Sequence, residues 1–314
     1  MRGFRSLAGT AITFTFILIV LGAVVRSTGS GLACPDWPRC YGLWLPTPTS
    51  LADLGSLDYS YGQVMLEWTH RLIAGVIVGP LVLWLTIWAF KRRREAGSLP
   101  LLMIVALLLV VIQAGLGGVT VLTGNIPWSV AAHLSVALAF LATLIFVFIS
   151  CERHSGLSRS VDYVGAGART LAGMTLVVVL ITVSSGAITA KSGASFACGS
   201  WPLCDGFGWP DLSDWLVRIH MGHRVFALST VVFIILLYIT GYKIRHEAPR
   251  FFGDVRMVFF LTFVEIGLGA MVVFTEVPLW GAVVHQAFGA LLFAFLATAF
   301  LRPMVRRRSR FGND

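Results

Sequence analysis

Eight separate runs of about twenty apolar residues decide what this chain can fold into. They lie at roughly 7 to 26, 67 to 90, 100 to 123, 129 to 150, 170 to 190, 217 to 242, 255 to 275 and 281 to 301. A run of that length crosses a bilayer as a helix, because a helix satisfies every backbone N–H and C=O within itself. Strands of a membrane barrel would alternate apolar and polar residues with period two, and these runs do not. A water-soluble fold is excluded as well, since 57% of the residues are hydrophobic and only 12% are charged. The expected fold is an all-α integral membrane protein with eight transmembrane helices.

The basic residues orient those helices. Of the 24 Lys and Arg, 18 fall in five segments: the N-terminal tail, the run Lys91 to Arg94, the loop with Arg153, Arg159 and Arg169, the loop from Lys243 to Arg256, and the tail from Arg302 to Arg310. By the positive-inside rule these segments share the cytoplasmic face, so both termini are expected there. The net charge of +9 is thus a topology signal, and the expected surroundings are membrane lipid with no nucleic-acid partner. Arg2 and Arg5 ahead of an apolar run also suit a signal peptide, but the matching run near Thr175 to Ala187 lies mid-chain and cannot be one. The first run is therefore read as a helix, with no presequence ahead of it, and a bacterial inner membrane is the expected location.

The chain is also a duplication. GAVVRSTGSGLACPDWPRC, ending at Cys40, returns as GAITAKSGASFACGSWPLC, ending at Cys204, with eight identities and no gap. The register then continues: Glu67-Trp-Thr-His70-Arg71 meets His220-Met-Gly-His223-Arg224, and IQAGLGG with a later His133 meets VEIGLGA with a later His285. Two tandem four-helix bundles are expected, spanning residues 1–151 and 170–314, related by a pseudo-two-fold axis along the membrane normal and joined by a cytoplasmic linker at 152–169. The first carries a long outer loop, 27–66.

Within each bundle, two histidines come to matched depth near the outer surface: His70 with His133, and His223 with His285. A single membrane histidine is most simply a hydrogen-bonded interior group. Two pairs at equivalent positions form the pattern by which a bundle holds a cofactor in its core. No three ligands lie close in sequence, so a zinc clip is not expected. Paired imidazoles suit haem, with two axial nitrogens on a flat ring. Gly115, Gly117 and Gly118, with Gly267, Gly269 and Ala270, give helices three and seven room for such a ring or for a neighbouring helix. Arg71 and Arg224, each directly after a histidine, suit either haem propionates or snorkelling to the interface.

The other polar residues divide the halves. Cys34 with Cys40, and Cys198 with Cys204, sit in outer loops on the oxidising side, where two local disulfides are the simplest expectation. A redox role is the alternative for Cys34 and Cys40, whose loop is eleven residues longer between the second Cys and the His. Cys151 is unpaired on the reducing side. Glu67 lies one turn before His70 on the same face, either as an interfacial carboxylate at a helix start or as an acid or base beside the bound group. The other half has His220 in its place, so only one bundle carries this carboxylate. Glu265, deeper in helix seven, suits a buried hydrogen-bonding role or a proton path.

Over nearly its whole length the chain resembles the haem A synthase family. The resemblance is carried jointly by the eight helices in duplicate, the outer Cys pair in each half, Glu67-x-x-His70-Arg71, His223-Arg224, and the single histidines His133 and His285. It implies oxidation of a ring methyl of haem O to a formyl by successive hydroxylations, yielding haem A for cytochrome oxidase. It implies that His70, His133 and Glu67 belong to the substrate haem site, and that His223 and His285 ligate a haem b for electron transfer. His223 is chosen over His220 through its alignment with His70. Within the family Cys34 and Cys40 go with activity, while Cys198 and Cys204 look structural. Implied partners are haem O, haem O synthase, cytochrome oxidase assembly factors and an unnamed electron acceptor. A non-enzymatic di-haem electron carrier would use the same four histidines, whereas a thiol oxidoreductase built on the outer cysteines would leave them unexplained.

Overall fold

The computed structural model describes residues 2–154, 162–205 and 207–304. Part of the expected linker, 155–161, and the basic tail beyond 304 lie outside the described residues. Eight helices long and apolar enough to cross a membrane account for most of the rest: α1 Arg2–Ser27, α2 Tyr61–Lys91, α3 Leu99–Leu122, α4 Pro127–His154, α5 Ala166–Lys191, α6 Trp215–Lys243, α7 Pro249–Phe274 and α8 Leu279–Leu301. Each expected apolar run lies on one of them. The protein is an eight-span integral membrane protein.

The helices begin where the sequence supplies caps. Ser60 and Gln63 form a capping box at α2, each side chain bonding the other's backbone N–H. Asp214 accepts from Leu216 N at the start of α6. Prolines occupy the first turns of α3, α4 and α7, where the missing N–H is not needed. The turn between α3 and α4 needs left-handed backbone at Gly124 and Asn125, residue types that tolerate it.

Packing follows the duplication. In the first half α1 touches α2 and α4, α2 touches α3, and α3 touches α4; in the second, α5 touches α6 and α8, α6 touches α7, and α7 touches α8. The two groups meet through α1, α4, α5 and α8. One apolar cluster runs from Ile19 of α1 through Leu138 and Leu141 of α4 to Val179, Leu237, Val258 and Leu296 of the second half. A second cluster, with Phe4, Val82, Met103 and Leu144, closes α1 to α4. Ser135 of α4 and Ser184 of α5 also share a hydrogen bond of 2.7 Å across the boundary.

Two irregularities bear on the site. At Ile73–Val78 helix α2 widens into a π turn, and Gly79 N donates five residues back to Ala74 O. Pro80 follows at once; it has no N–H and crowds the preceding turn, and the wider loop accommodates it. Helix α6 continues without such a turn. The long loop between α1 and α2 has its own small core, in which Ala33, Cys34, Cys40 and Leu51 pack with Val64 of α2. Trp68 of α2 ties down its far side by donating from Nε1 to Trp44 O at 2.8 Å.

Candidate functional site

Each of the four paired histidines is seated against a glycine of a neighbouring helix. A Cβ placed on Gly22 of α1 would lie 3.5 Å from His70 Cε1, and one on Gly117 of α3 would lie 3.3 Å from His133 Cε1. In the second half Gly186 of α5 stands 3.0 Å from His223 Cε1, and Gly269 of α7 stands 3.2 Å from His285 Cε1, by the same measure. Gly22 and Gly186 are repeat equivalents, as are Gly117 and Gly269. These glycines thus leave the space an imidazole needs to lie against a helix backbone. Gly115 and Gly267, on the same two helices, have nothing within 4 Å of such a Cβ. The sequence marked Gly22 and Gly186 only as identities; their purpose needs the facing helix to be seen.

The rings of each pair are near enough to interact electrostatically, His70 with His133 and His223 with His285. Their other contacts differ between halves. Gln113 Nε2 lies 3.3 Å from His133 Nε2. Ser185 Oγ is 2.9 Å from His223 Nδ1, and Glu265 Oε1 is 3.2 Å from His285 Nδ1. Glu265 therefore stands beside a candidate ligand, at the position where the first half has Gln113.

Glu67 and Arg71 face the disulfide loop. The structure joins Cys34 to Cys40 and Cys198 to Cys204, with Cα separations of 4.6 and 4.4 Å. Glu67 is 4% exposed; its Oε2 accepts the Cys34 N–H at 2.8 Å and its Oε1 meets Arg71 Nη2 at 2.6 Å. The Arg71 guanidinium also donates to the carbonyls of Cys34, Asp36 and Arg39. Asp36 in turn accepts from the backbone N–H groups of Tyr41 and Gly42. In the second half Arg224 Nη1 donates to Pro202 O at 2.9 Å, and its Nη2 lies 3.3 Å from His220 Nε2. So the arginine after each histidine is a loop anchor, an arrangement neither the propionate nor the snorkelling reading described. His220 belongs to this loop anchor, whereas His223 lies beside Gly186 and Ser185.

The first loop also packs against α3. The Trp37 ring packs on Gly118 of α3, 3.0 Å from where a Cβ would stand, one residue from the seat of His133. The second half has Ala270 in place of Gly118. Gly31 of the loop is likewise pressed on Asn125 of the α3–α4 turn, 2.6 Å by the same measure. Cys151 is buried on the far side of the protein and takes no part.

The residues present suit a flat group held by two axial nitrogens. Buried Nδ1 atoms of His70 and His133 have no hydrogen-bond partner, which is costly for a polar atom at this depth unless a ligand or a partner uses the ring. Among the described residues no cluster of three or more His, Cys, Asp or Glu forms a metal cage, so the donors come as imidazole pairs.

The chain is also similar to known proteins over nearly its whole length. The chain is 29% identical over 309 residues, 96% of its own length and 92% of the relative's, to a protein of Geobacillus kaustophilus (strain HTA426) named heme A synthase. Proteins of the same name from Geobacillus thermodenitrificans and Alkalihalophilus pseudofirmus are 26% and 28% identical, covering 98% and 96% of this chain and 93% and 97% of their own. Residues 5–297 match the sequence model of COX15-CtaA, described as cytochrome oxidase assembly protein, and with nearly the whole chain inside that match the protein belongs to this family.

Proposed function

We propose that the protein is a haem A synthase, a bacterial multi-pass membrane oxidoreductase that oxidises a ring methyl of haem O to a formyl. The observation that carries this reading is the likeness to proteins of that name over nearly the whole length of the chain. Residues 1–151 form the substrate bundle and 170–314 the electron-transfer bundle, with both termini cytoplasmic and the histidines towards the outer face. His70 and His133 hold the iron of haem O. His223 and His285 hold a haem b, which supplies a one-electron redox centre when bound.

The chain's own residues then have distinct tasks. The glycine seats fix where each imidazole lies. Ser185 and Glu265 hold the Nδ1 edges of His223 and His285, leaving the opposite ring nitrogens for a metal. The Glu67 carboxyl is held in place by Arg71 and the Cys34 amide. It stands on the His70 face, where it stabilises positive charge developing on the methyl carbon or accepts the proton released there. The disulfide loop sets the position of that carboxylate and, with Trp37, covers the outer side of the site.

Two measurements test this. In membranes containing the protein and supplied with haem O, extracted pigment will include a formyl-bearing haem that is absent when the protein is absent. Haem b alone in that extract would make the protein a di-haem carrier. Cys34→Ser will lower turnover roughly tenfold or more, because Glu67 takes its position from the Cys34 amide and small displacements of a reacting constellation are costly. Cys198→Ser will lower it less, and equal losses would make both bridges purely structural.

A further inference from the structure

Arg26 ends α1 in the first half, yet its side chain serves the second. Its Nη2 donates to Gln286 Oε1 at 3.2 Å, and Gln286 Nε2 returns a bond to Ile19 O at 3.4 Å. Gln286 directly follows His285 on α8, and Arg26 is close enough for its charge to act on that ring. The Arg26 Nε is buried and has no partner. Lys191, the last residue of α5, is near enough for its charge to act on Arg26. Among the described residues neither cation forms an ion pair. Two like charges brought together at the rim of an apolar bundle repel and lose hydration, which is unfavourable unless an anion joins them.

The duplication supplies a control. The contact of α1 with α8 corresponds to that of α5 with α4, where Ala190 stands for Arg26 and Leu134 for Gln286. The polar arrangement thus exists beside His285 and is apolar at the equivalent place beside His133. Arg224, which the sequence offered as an anion partner for this site, is engaged with Pro202 and His220. The buried Nε of Arg26 has no such partner.

We propose that Arg26, assisted by Lys191, binds the carboxylates of the tetrapyrrole held between His223 and His285, so that a helix of the substrate half anchors the redox group of the other half. This rests on the reading that those two histidines ligate a haem. The bidentate fork of an arginine suits a carboxylate. Anchoring from α1 also makes the position of the second haem depend on how the two halves dock.

The test uses the full-length protein in a His70→Ala background, which leaves the second site, freed of haem and titrated by absorbance. The probes are iron protoporphyrin IX and its dimethyl ester, which lacks the two anionic groups. Arg26→Gln will weaken binding of the diacid by about 10- to 100-fold, the range expected for losing a charge-assisted hydrogen bond, and will change the diester less than about twofold. Lys191→Gln will act in the same direction to a smaller extent, and Arg26→Lys will recover much of the diacid affinity. Diacid binding by Arg26→Gln at the unaltered level overturns the proposal, as does an equal loss for both probes. If the residue holds a lipid phosphate instead, Arg26→Gln will lose bound anionic phospholipid while the diacid-to-diester ratio stays unchanged, which also overturns it. His285→Ala reports separately: if the haem signal of the second site survives it, the ligand assignment fails, whatever Arg26 does.

Discussion

Glu67→Gln will leave both haem sites able to fill and will stop haem A production, lowering it by at least about a hundredfold, within the range for losing a positioned acid–base or electrostatic group. The structure gives reason to expect the protein to survive the change. The glutamine oxygen still accepts the Cys34 N–H, and Arg71 keeps the carbonyls of Cys34, Asp36 and Arg39, so the guanidinium is not left as a bare buried charge. What disappears is the negative charge itself. Glu67→Ala removes the Cys34 bond as well and will loosen the disulfide loop, which makes Gln the cleaner variant. The measurements are the absorbance of the two bound haems and the haem A extracted per mole of protein. Production at the unaltered level would take Glu67 out of the chemistry and leave it an anchor for the loop.

Placing one methyl group on the glycine seats will empty the sites selectively. Gly186→Ala puts a Cβ 3.0 Å from His223 Cε1, and Gly269→Ala puts one 3.2 Å from His285 Cε1. Those atoms belong to rings that cannot fold away, so the imidazole must shift by tenths of an ångström, and an axial ligand that moves loses its line to the metal. Bound haem b will fall several-fold, in keeping with the 10- to 100-fold losses, roughly, that follow disturbance of a ligand's support. Gly267→Ala lies on the same helix as Gly269, meets nothing within 4 Å, and will keep its haem. Gly117→Ala against Gly115→Ala gives the same comparison for the substrate site. If Gly267→Ala loses as much haem as Gly269→Ala, these glycines serve close helix packing and the imidazole seat is incidental.

How much of this was readable beforehand depended on whether the cause was local. The eight spans were, since apolar length is a property of the chain itself, and caps such as Ser60 with Gln63 moved the ends by only a few residues. The histidines were legible because the repeat wrote them twice. The partners of Arg71 were not: it is held by main-chain carbonyls of the disulfide loop, and a carbonyl carries no mark of residue type. Arg26 lies in the last turn of α1, but nothing near it in sequence points to Gln286, 260 residues away. Gly22 and Gly186 stood within the repeat motif, and their role appears only when a histidine of another helix lies on them.

The π turn at Ile73–Val78 limits how far the two halves can be compared residue by residue. A π turn accommodates one extra residue in a helix, so every position of α2 beyond it is rotated by about 100° relative to an uninterrupted helix. His70 precedes the turn and keeps its correspondence with His223. From Gly79 onward, residues aligned between α2 and α6 point in different directions. A substitution that lines the inner part of one bundle therefore has its spatial counterpart in the other at a neighbouring residue number. Paired mutations in these two helices beyond the turn must be matched by direction and not by alignment.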